Sequence, residues 1–268
     1  MLGIVGTVPD ADLGLLHGPA RMDGGRVTVA GRELEVQRGT PALLAAALQV
    51  AAHLGRPEIH AYLAGDTGRG DGSRHLYDWL CRHLPDCICS VLVFHYLQPD
   101  VDWHGRVLLA IEQMTRPPVL IADAGFMYAA KMSGQAGRYD CFTPDLGELA
   151  FLADEQAPHP FYTRGFILHE SNRADDLIER AYRHDNAAIH LLVKGATDAI
   201  VARGRVVDRV DAPSTPAMEA IGGTGDTLTG LLAALCAAGH DLVPAASLAA
   251  RANRLCGALA RPTPASPV

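Results

Sequence analysis

Short apolar runs of strand length alternate along this chain with longer segments whose apolar positions recur at helical spacing. Leu2 to Gly6 reads as a first strand, and Val27 to Ala30 and Glu33 to Val36 alternate polar and apolar side chains about a Gly31-Arg32 hairpin turn. Thr40-Pro41 then opens a buried helix through Leu54, with Thr40 as the expected cap, and Gly55 closes it. His60 to Ala64 predicts a strand that enters the polar loop Gly65 to Ser73, followed by a helix over Arg74 to His83. Strands are expected over Ile88 to His95 and Val119 to Ala122, flanking a helix from Gly105 to Met114, with a further short strand ending at Phe142.

Between Glu155 and Arg173 the periodicity lapses, and Pro158-His159-Pro160-Phe161-Tyr162 falls in a connection long enough to serve as a binding loop or lid. A helix over Ala174 to His184, a strand over Ile189 to Val193 and a hairpin from Ala199 to Ala202 and Arg205 to Val210 follow. A glycine-rich turn at Gly222 leads to two closing helices, and the proline-rich tail 262–268 is expected to fray. This order is that of an α/β protein with a parallel sheet and helices on both faces, in a single domain over 1–268.

Composition narrows the function classes. With 268 residues and a formal net charge of -7, the chain has no basic field for a polyanion, so nucleic acid is not expected as a partner. A small anion held by a local nest of amides remains compatible with that charge. The six cysteines form no CxxC pair and the twelve histidines show no zinc-ligand spacing, which points to a reducing, cytoplasmic setting without disulfides or structural zinc. No apolar run is long enough to span a membrane, and the first residues lack the basic start of a signal peptide.

The sharpest chemical signal is Gly222-Gly223-Thr224-Gly225-Asp226-Thr227-Leu228-Thr229-Gly230. A turn that opens a helix directs unpaired amides and the positive dipole end at one spot, where a phosphate could sit. Asp226 beside it is either a helix cap or a base for a hydroxyl attacking that phosphate. No Gly-Lys-Ser/Thr follows, and Leu228 replaces the third glycine of the dinucleotide fingerprint, so neither common phosphate loop is present. Asp66, Asp123, Asp145 with Glu148, and Lys194 all fall at the carboxyl ends of expected strands, where open α/β sheets bind ligands. The carboxylates could equally cap turns and helices. A lysine directly after Leu191-Leu192-Val193 needs either solvent or an anionic partner, a phosphate or a carboxylate.

Taken in order, the helix after Gly39, the Gly65-Asp66 loop, Thr143-Pro144-Asp145-Leu146-Gly147-Glu148, Leu192-Val193-Lys194-Gly195 and Gly222 to Gly230 resemble the ribokinase-like superfamily over nearly the whole chain. Within it, the doubled glycine before Thr224-Gly225-Asp226, with Ala122-Asp123-Ala124 and Lys194-Gly195-Ala196, is most similar to the ADP- or ATP-dependent NAD(P)H-hydrate dehydratases. The resemblance implies a three-layer sandwich with a mostly parallel central sheet. It also implies a nucleotide on Lys194, Gly222, Gly223, Thr224 and Gly225, and Asp226 as the catalytic base. Substrate would meet Gly39, Asp66, Asp123 and Asp145, while Glu148 would organise hydrated Mg²⁺.

Three positions depart from the family pattern: Asp145-Leu146 stands for His-Pro, Thr215-Pro216-Ala217 stands for Asn-Pro-Gly, and a glycine-rich segment near Leu97 is missing. All three shape the acceptor pocket, so an ATP-dependent kinase of a sugar or hydroxymethyl heterocycle stays open beside the dehydratase. A nucleotide-binding regulatory protein without turnover is the third reading. The partners expected are a nucleotide and a small molecule, with no membrane, and self-association into a homo-oligomer is compatible with any of the three.

Overall fold

A computed structural model describes residues 1–157 and 174–268; most of the expected binding loop, including Pro158 to Tyr162, lies outside the described residues. Eleven strands form one sheet: β1 (Leu2–Val8), β2 (Leu15–Asp23), β3 (Arg26–Val29), β4 (Arg32–Leu34), β5 (Ile59–Gly65), β6 (Val91–His95), β7 (Val119–Ala122), β8 (Cys141–Phe142), β9 (His190–Val193), β10 (Asp198–Ala202) and β11 (Arg205–Val210). Their order is β11-β10-β9-β8-β7-β6-β1-β5-β2-β3-β4. The run from β5 through β1, β6, β7, β8 and β9 is parallel, while both ends of the sheet are antiparallel hairpins.

Two helical layers cover the sheet because its strands are apolar on both faces. On one face Leu92 and Phe94 pack with α2 (Asp71–His83), α3 (Val101–Glu112), α4 (Gly125–Met132), α5 (Leu146–Ala153) and α6 (Ala174–Arg183). Val91 and Val93, the alternating set of the same strand, pack with α1 (Thr40–Leu54), α7 (Thr224–Ala237) and α8 (Leu242–Ala260) on the other. Helices α1 and α7 approach so closely that a Cβ on Gly230 would lie 2.2 Å from the Leu43 carbonyl oxygen, which gives the glycine of the Leu228-Thr229-Gly230 step a packing reason.

Several boundaries move. Strand β2 was not anticipated, and Leu15 to Pro19 pairs antiparallel with β5, which the Gly18-Pro19 step had hidden. Helix α3 starts at Val101 because the Asp100 carboxylate accepts from the Trp103 amide at 3.0 Å. Helix α2 starts at Asp71, after Gly70 in the left-handed region. The cap of α1 is Gly39, with φ 68°, and the Thr40 hydroxyl goes elsewhere. The short helices α4 and α5 follow the two strand ends where Asp123 and the Thr143 to Glu148 segment offer possible helix starts; Asp145 does cap α5, whereas the cap residue of α4 is Ala124.

Candidate active site

The parallel strands deliver Gly65-Asp66, His95, Asp123, Asp145 and Lys194 to one edge of the sheet, where α1 and α7 also begin. Helix α7 has Gly223 as its cap residue, φ 107°, and no side chain caps it, so its first-turn amides have no partner from their own helix. Two cations flank this turn. A Cβ on Gly222 would sit 3.7 Å from Arg38 Nε, and one on Gly225 would sit 3.6 Å from Lys194 Nζ. The Thr224 hydroxyl donates to the Met218 carbonyl at 3.0 Å, bracing the turn from behind. The tail returns to the same place, and the Val268 side chain lies 3.0 Å from where a Cβ on Gly223 would be.

Asp226, in the first turn of α7, does not cap its own helix. Its Oδ2 accepts from the Gly39 amide at 2.7 Å and its Oδ1 lies 3.0 Å from His95 Nε2. Burial pushes this carboxyl up, but the His95 contact, Lys194 and the Gly39 amide outweigh burial and hold it below its ordinary value. Asp226 is therefore a buried carboxylate that stays ionised beside an anion-binding turn.

Asp123, 1 % exposed, meets Lys194 through both oxygens, at 2.9 and 3.0 Å. The Thr229 hydroxyl donates to Asp123 Oδ2 at 2.6 Å, with Thr143 Oγ1 3.0 Å away. Burial lowers the Lys194 ammonium, yet Asp123 and Glu148 raise it above its ordinary value, so it is a fixed positive charge. Lys194 thus has a carboxylate as its anionic partner, and its Nζ also lies beside the glycine turn.

Asp145 and Glu148 form a reciprocal capping box at the start of α5: the Glu148 amide donates to Asp145 Oδ1 at 2.7 Å and the Asp145 amide to Glu148 Oε2 at 2.8 Å. The Asp145 backbone also bridges to that of Lys194, which draws this box to the central cluster. Burial, then Asp123 and Asp145, push the Glu148 carboxyl up to about 8 against the pull of Lys194. Asp66 is held apart from the cluster: Gly68, Gly70 and Ser73 amides and the Ser73 hydroxyl all donate to it, at 2.8–3.0 Å, fixing the loop after β5.

Among the described residues, one cluster has the spacing of metal ligands but already carries a cation, and a second position suits a metal better. One ligand atom each from His95, Asp123 and Asp226 lies within 4.8 Å of the others, but Lys194 already brings positive charge onto Asp123. At Glu148 burial chiefly raises the carboxyl, and Asp123 and Asp145 add to it; a hydrated Mg²⁺ would offset that negative charge, so the oxygen donors there fit the role the resemblance implies.

His95 and Arg38 also belong to this site, as do Thr40, expected only as a helix cap, and Thr229, which the glycine motif contains without a role of its own. His95 carried one usable signal, a polar side chain ending an apolar strand on the ligand-binding edge. Among the described residues no helix is long and apolar enough to cross a membrane, and all six cysteines are free.

Known proteins resemble this chain in sequence and in fold. The pattern of the NAD(P)H-hydrate dehydratase family matches residues 98–266. An uncharacterized protein of Methanocaldococcus jannaschii is 37% identical over 223 residues, covering 83% of this chain and 91% of that one. The ADP-dependent (S)-NAD(P)H-hydrate dehydratase of Cenarchaeum symbiosum is 31% identical over 52% of this chain and 43% of its own length. A bifunctional NAD(P)H-hydrate repair enzyme of Hyperthermus butylicus is 43% identical over 88 residues, and this chain spans only 15% of its length. In fold, the chain is similar to a pyridoxal kinase of Lactobacillus plantarum (TM-score 0.56, 17% identity, 97% of this chain and 88% of that one). It is likewise similar to phosphofructokinase-2 of Escherichia coli (TM-score 0.54, 13% identity, 95% and 93%). With a ribokinase-like sheet and a matching segment that includes Asp123, Lys194 and the glycine turn with Asp226, the chain belongs to the NAD(P)H-hydrate dehydratase family.

Proposed function

We propose that this chain dehydrates hydrated NADH or NADPH at the expense of ADP or ATP, by phosphorylating the substrate hydroxyl. The observation that carries the reading is Asp226: a buried carboxylate, held ionised, at the first turn of a helix whose amides are open to an anion. In this reading the terminal phosphate lies on the amides of Gly222, Gly223, Thr224 and Gly225, with Lys194 alongside. Asp226 takes the proton of the substrate hydroxyl as its oxygen bonds to phosphorus and the bond from phosphorus to the departing nucleotide breaks. The phosphate ester then leaves as inorganic phosphate while the ring loses a proton, restoring the dihydronicotinamide.

Asp123 holds the Lys194 ammonium in place, so that the positive charge faces the transferring group at no cost in reorganisation. Gly39 is assigned to the acceptor side; Asp66, Asp123 and Asp145, expected there too, would shape it through the elements they hold, since their carboxylates are engaged by the loop after β5, by Lys194 and Thr229, and by the α5 cap. Glu148 would hold Mg²⁺ through water, which would spread the charge on the phosphates when bound. We also assign the chain to the cytoplasm, on its free cysteines.

The kinase reading keeps the same machinery and stops at the phosphate ester. It is favoured by Asp145, which stands where the family has a histidine and whose side chain is spent on the α5 cap. Product analysis separates the two: the protein, Mg²⁺ and ADP or ATP are offered hydrated NADH, hydrated NADPH, sugars or hydroxymethyl heterocycles. Recovery of reduced-nicotinamide absorbance with nucleotide consumption supports dehydration. A phosphorylated sugar or heterocycle without that recovery replaces it with the kinase.

A further inference from the structure

His95 ends β6 with its side chain fully buried, and both ring nitrogens are engaged. Nε2 lies 3.0 Å from Asp226 Oδ1, and Nδ1 lies 3.0 Å from Thr40 Oγ1. A carboxylate can only accept, so the Nε2 proton points at Asp226. The Thr40 hydroxyl, itself buried at the start of α1, serves the other nitrogen in place of capping its helix. This contact depends on a missing side chain: a Cβ on Gly6 of β1 would lie 2.5 Å from Thr40 Oγ1 and 2.5 Å from the His95 carbonyl oxygen.

The charged and titratable groups facing the pair are few. Asp123 lies 3.9 Å from His95 Nε2 and is paired with Lys194, and the Tyr96 ring meets the imidazole edge-on at 4.3 Å. Arg38 bonds Tyr96, and Glu148 acts on it from α5. Of these, His95 alone touches the Asp226 carboxylate through a side chain.

We propose that His95 is a positioning residue for Asp226: its Nε2–H fixes one carboxylate oxygen while the Gly39 amide fixes the other, and Thr40 sets the tautomer of the ring. The catalytic part of this rests on reading Asp226 as the base; the effect on the carboxylate itself does not. Without the imidazole proton, burial acts on the Asp226 carboxyl against weaker opposition, so the group becomes harder to ionise and free to turn about its bond to Cβ. A residue that merely filled space would leave the carboxyl's titration where it is.

The test uses His95→Phe, which keeps a ring without a donor, and His95→Gln, whose amide can place a donor near Nε2, each checked for folding by thermal unfolding. The first readout is the titration of the Asp226 carboxyl by ¹³C NMR on protein labelled at aspartate carboxyls, the signal assigned by its loss in Asp226→Asn. It needs no turnover. We expect the titration to move to higher pH in His95→Phe and to return toward the wild-type position in His95→Gln. With an active acceptor, kcat should fall by up to about 10²-fold in His95→Phe with nucleotide KM little changed, since misorientation of a reacting group costs about that much. An unmoved carboxyl titration in folded His95→Phe would overturn the proposal. If wild-type protein turns over no hydrated NADH or NADPH, the dehydratase reading fails while the titration still decides the role of His95. Should His95→Phe not fold, Thr40→Val in the wild-type background replaces it, and an unmoved titration there counts against the relay through the ring.

Discussion

Asp123 and Lys194, 71 residues apart in sequence, meet with the lysine ammonium 2.9 and 3.0 Å from the two carboxylate oxygens. Their strands β7 and β9 both pair with β8, so the contact ties the middle of the parallel sheet together at its ligand-binding edge. Removing one partner leaves a buried charge alone, which costs about 3–5 kcal/mol, whereas replacing both by apolar residues costs far less. Lys194→Met should therefore lower the unfolding free energy by that amount in denaturant titration, and adding Asp123→Leu should recover part of it. Equal instability of the single and double variants would show that the pair does not act as a unit.

The glycine turn carries a different expectation. In Gly225→Val the branched side chain would lie within 3.4 Å of Lys194 Cδ and over the open amides. Nucleotide affinity, measured by calorimetry on folded protein, should fall by at least tenfold with thermal stability little altered. Unchanged affinity would place the phosphates elsewhere.

Arg254 of α8 is buried, and its guanidinium bonds Asp198 Oδ2 at 2.8 Å and the carbonyls of Gly195 and Ala196 at 2.9 and 3.0 Å. It thus holds the segment just after Lys194. Arg254→Leu should destabilise by about 3–5 kcal/mol, because Asp198 is left buried without its cation. Thermal unfolding measures this, and a neutral effect would mean that the carbonyl and carboxylate groups find other donors.

Acid should act through Asp226. Its carboxyl is depressed below the ordinary 3.8, so the folded state favours the ionised form. The stability this contributes is present above 3.8 and is lost as pH falls through the folded-state value. The stability difference between wild type and Asp226→Asn should accordingly be level at neutral pH and shrink only below 3.8. A difference that begins to shrink well above 3.8 would mean that burial, not its donors, governs this carboxyl.

The parallel sheet and its two helical layers were legible because strand runs and helical periods alternate in regular order from β5 to β9. Of helices α4 and α5 only the starts could be read, since each has only eight residues and buries an almost unbroken apolar run, which gives no amphipathic period to follow. Strand β2 was hidden by its Gly18-Pro19 step, which lies where the pairing of the strand passes from β5, over Leu15 to Pro19, to β3, over Ala20 to Asp23. Asp226 was visible through its glycine turn, a local pattern. Its partners His95 and Gly39 lie 131 and 187 residues away, and only the folded sheet brings them together. Local pattern likewise could not decide between a catalytic and a capping carboxylate: Asp145 is the cap of its helix, whereas Asp226 is turned away from its own helix toward α1 and β6.

The catalytic role of Asp226 is the claim on which the rest depends, and Asp226→Asn tests it with little change in shape. Nucleotide binding by calorimetry and single-turnover consumption of ADP or ATP with hydrated NADH and Mg²⁺ should be measured on the same folded preparation. Affinity should stay within a few-fold of wild type, because the amides of the turn are untouched, while the rate falls by about 10² to 10⁴, the range expected for loss of a general base. A variant that binds nucleotide and turns over at near the wild-type rate would reduce Asp226 to a bridge between α7, α1 and β6.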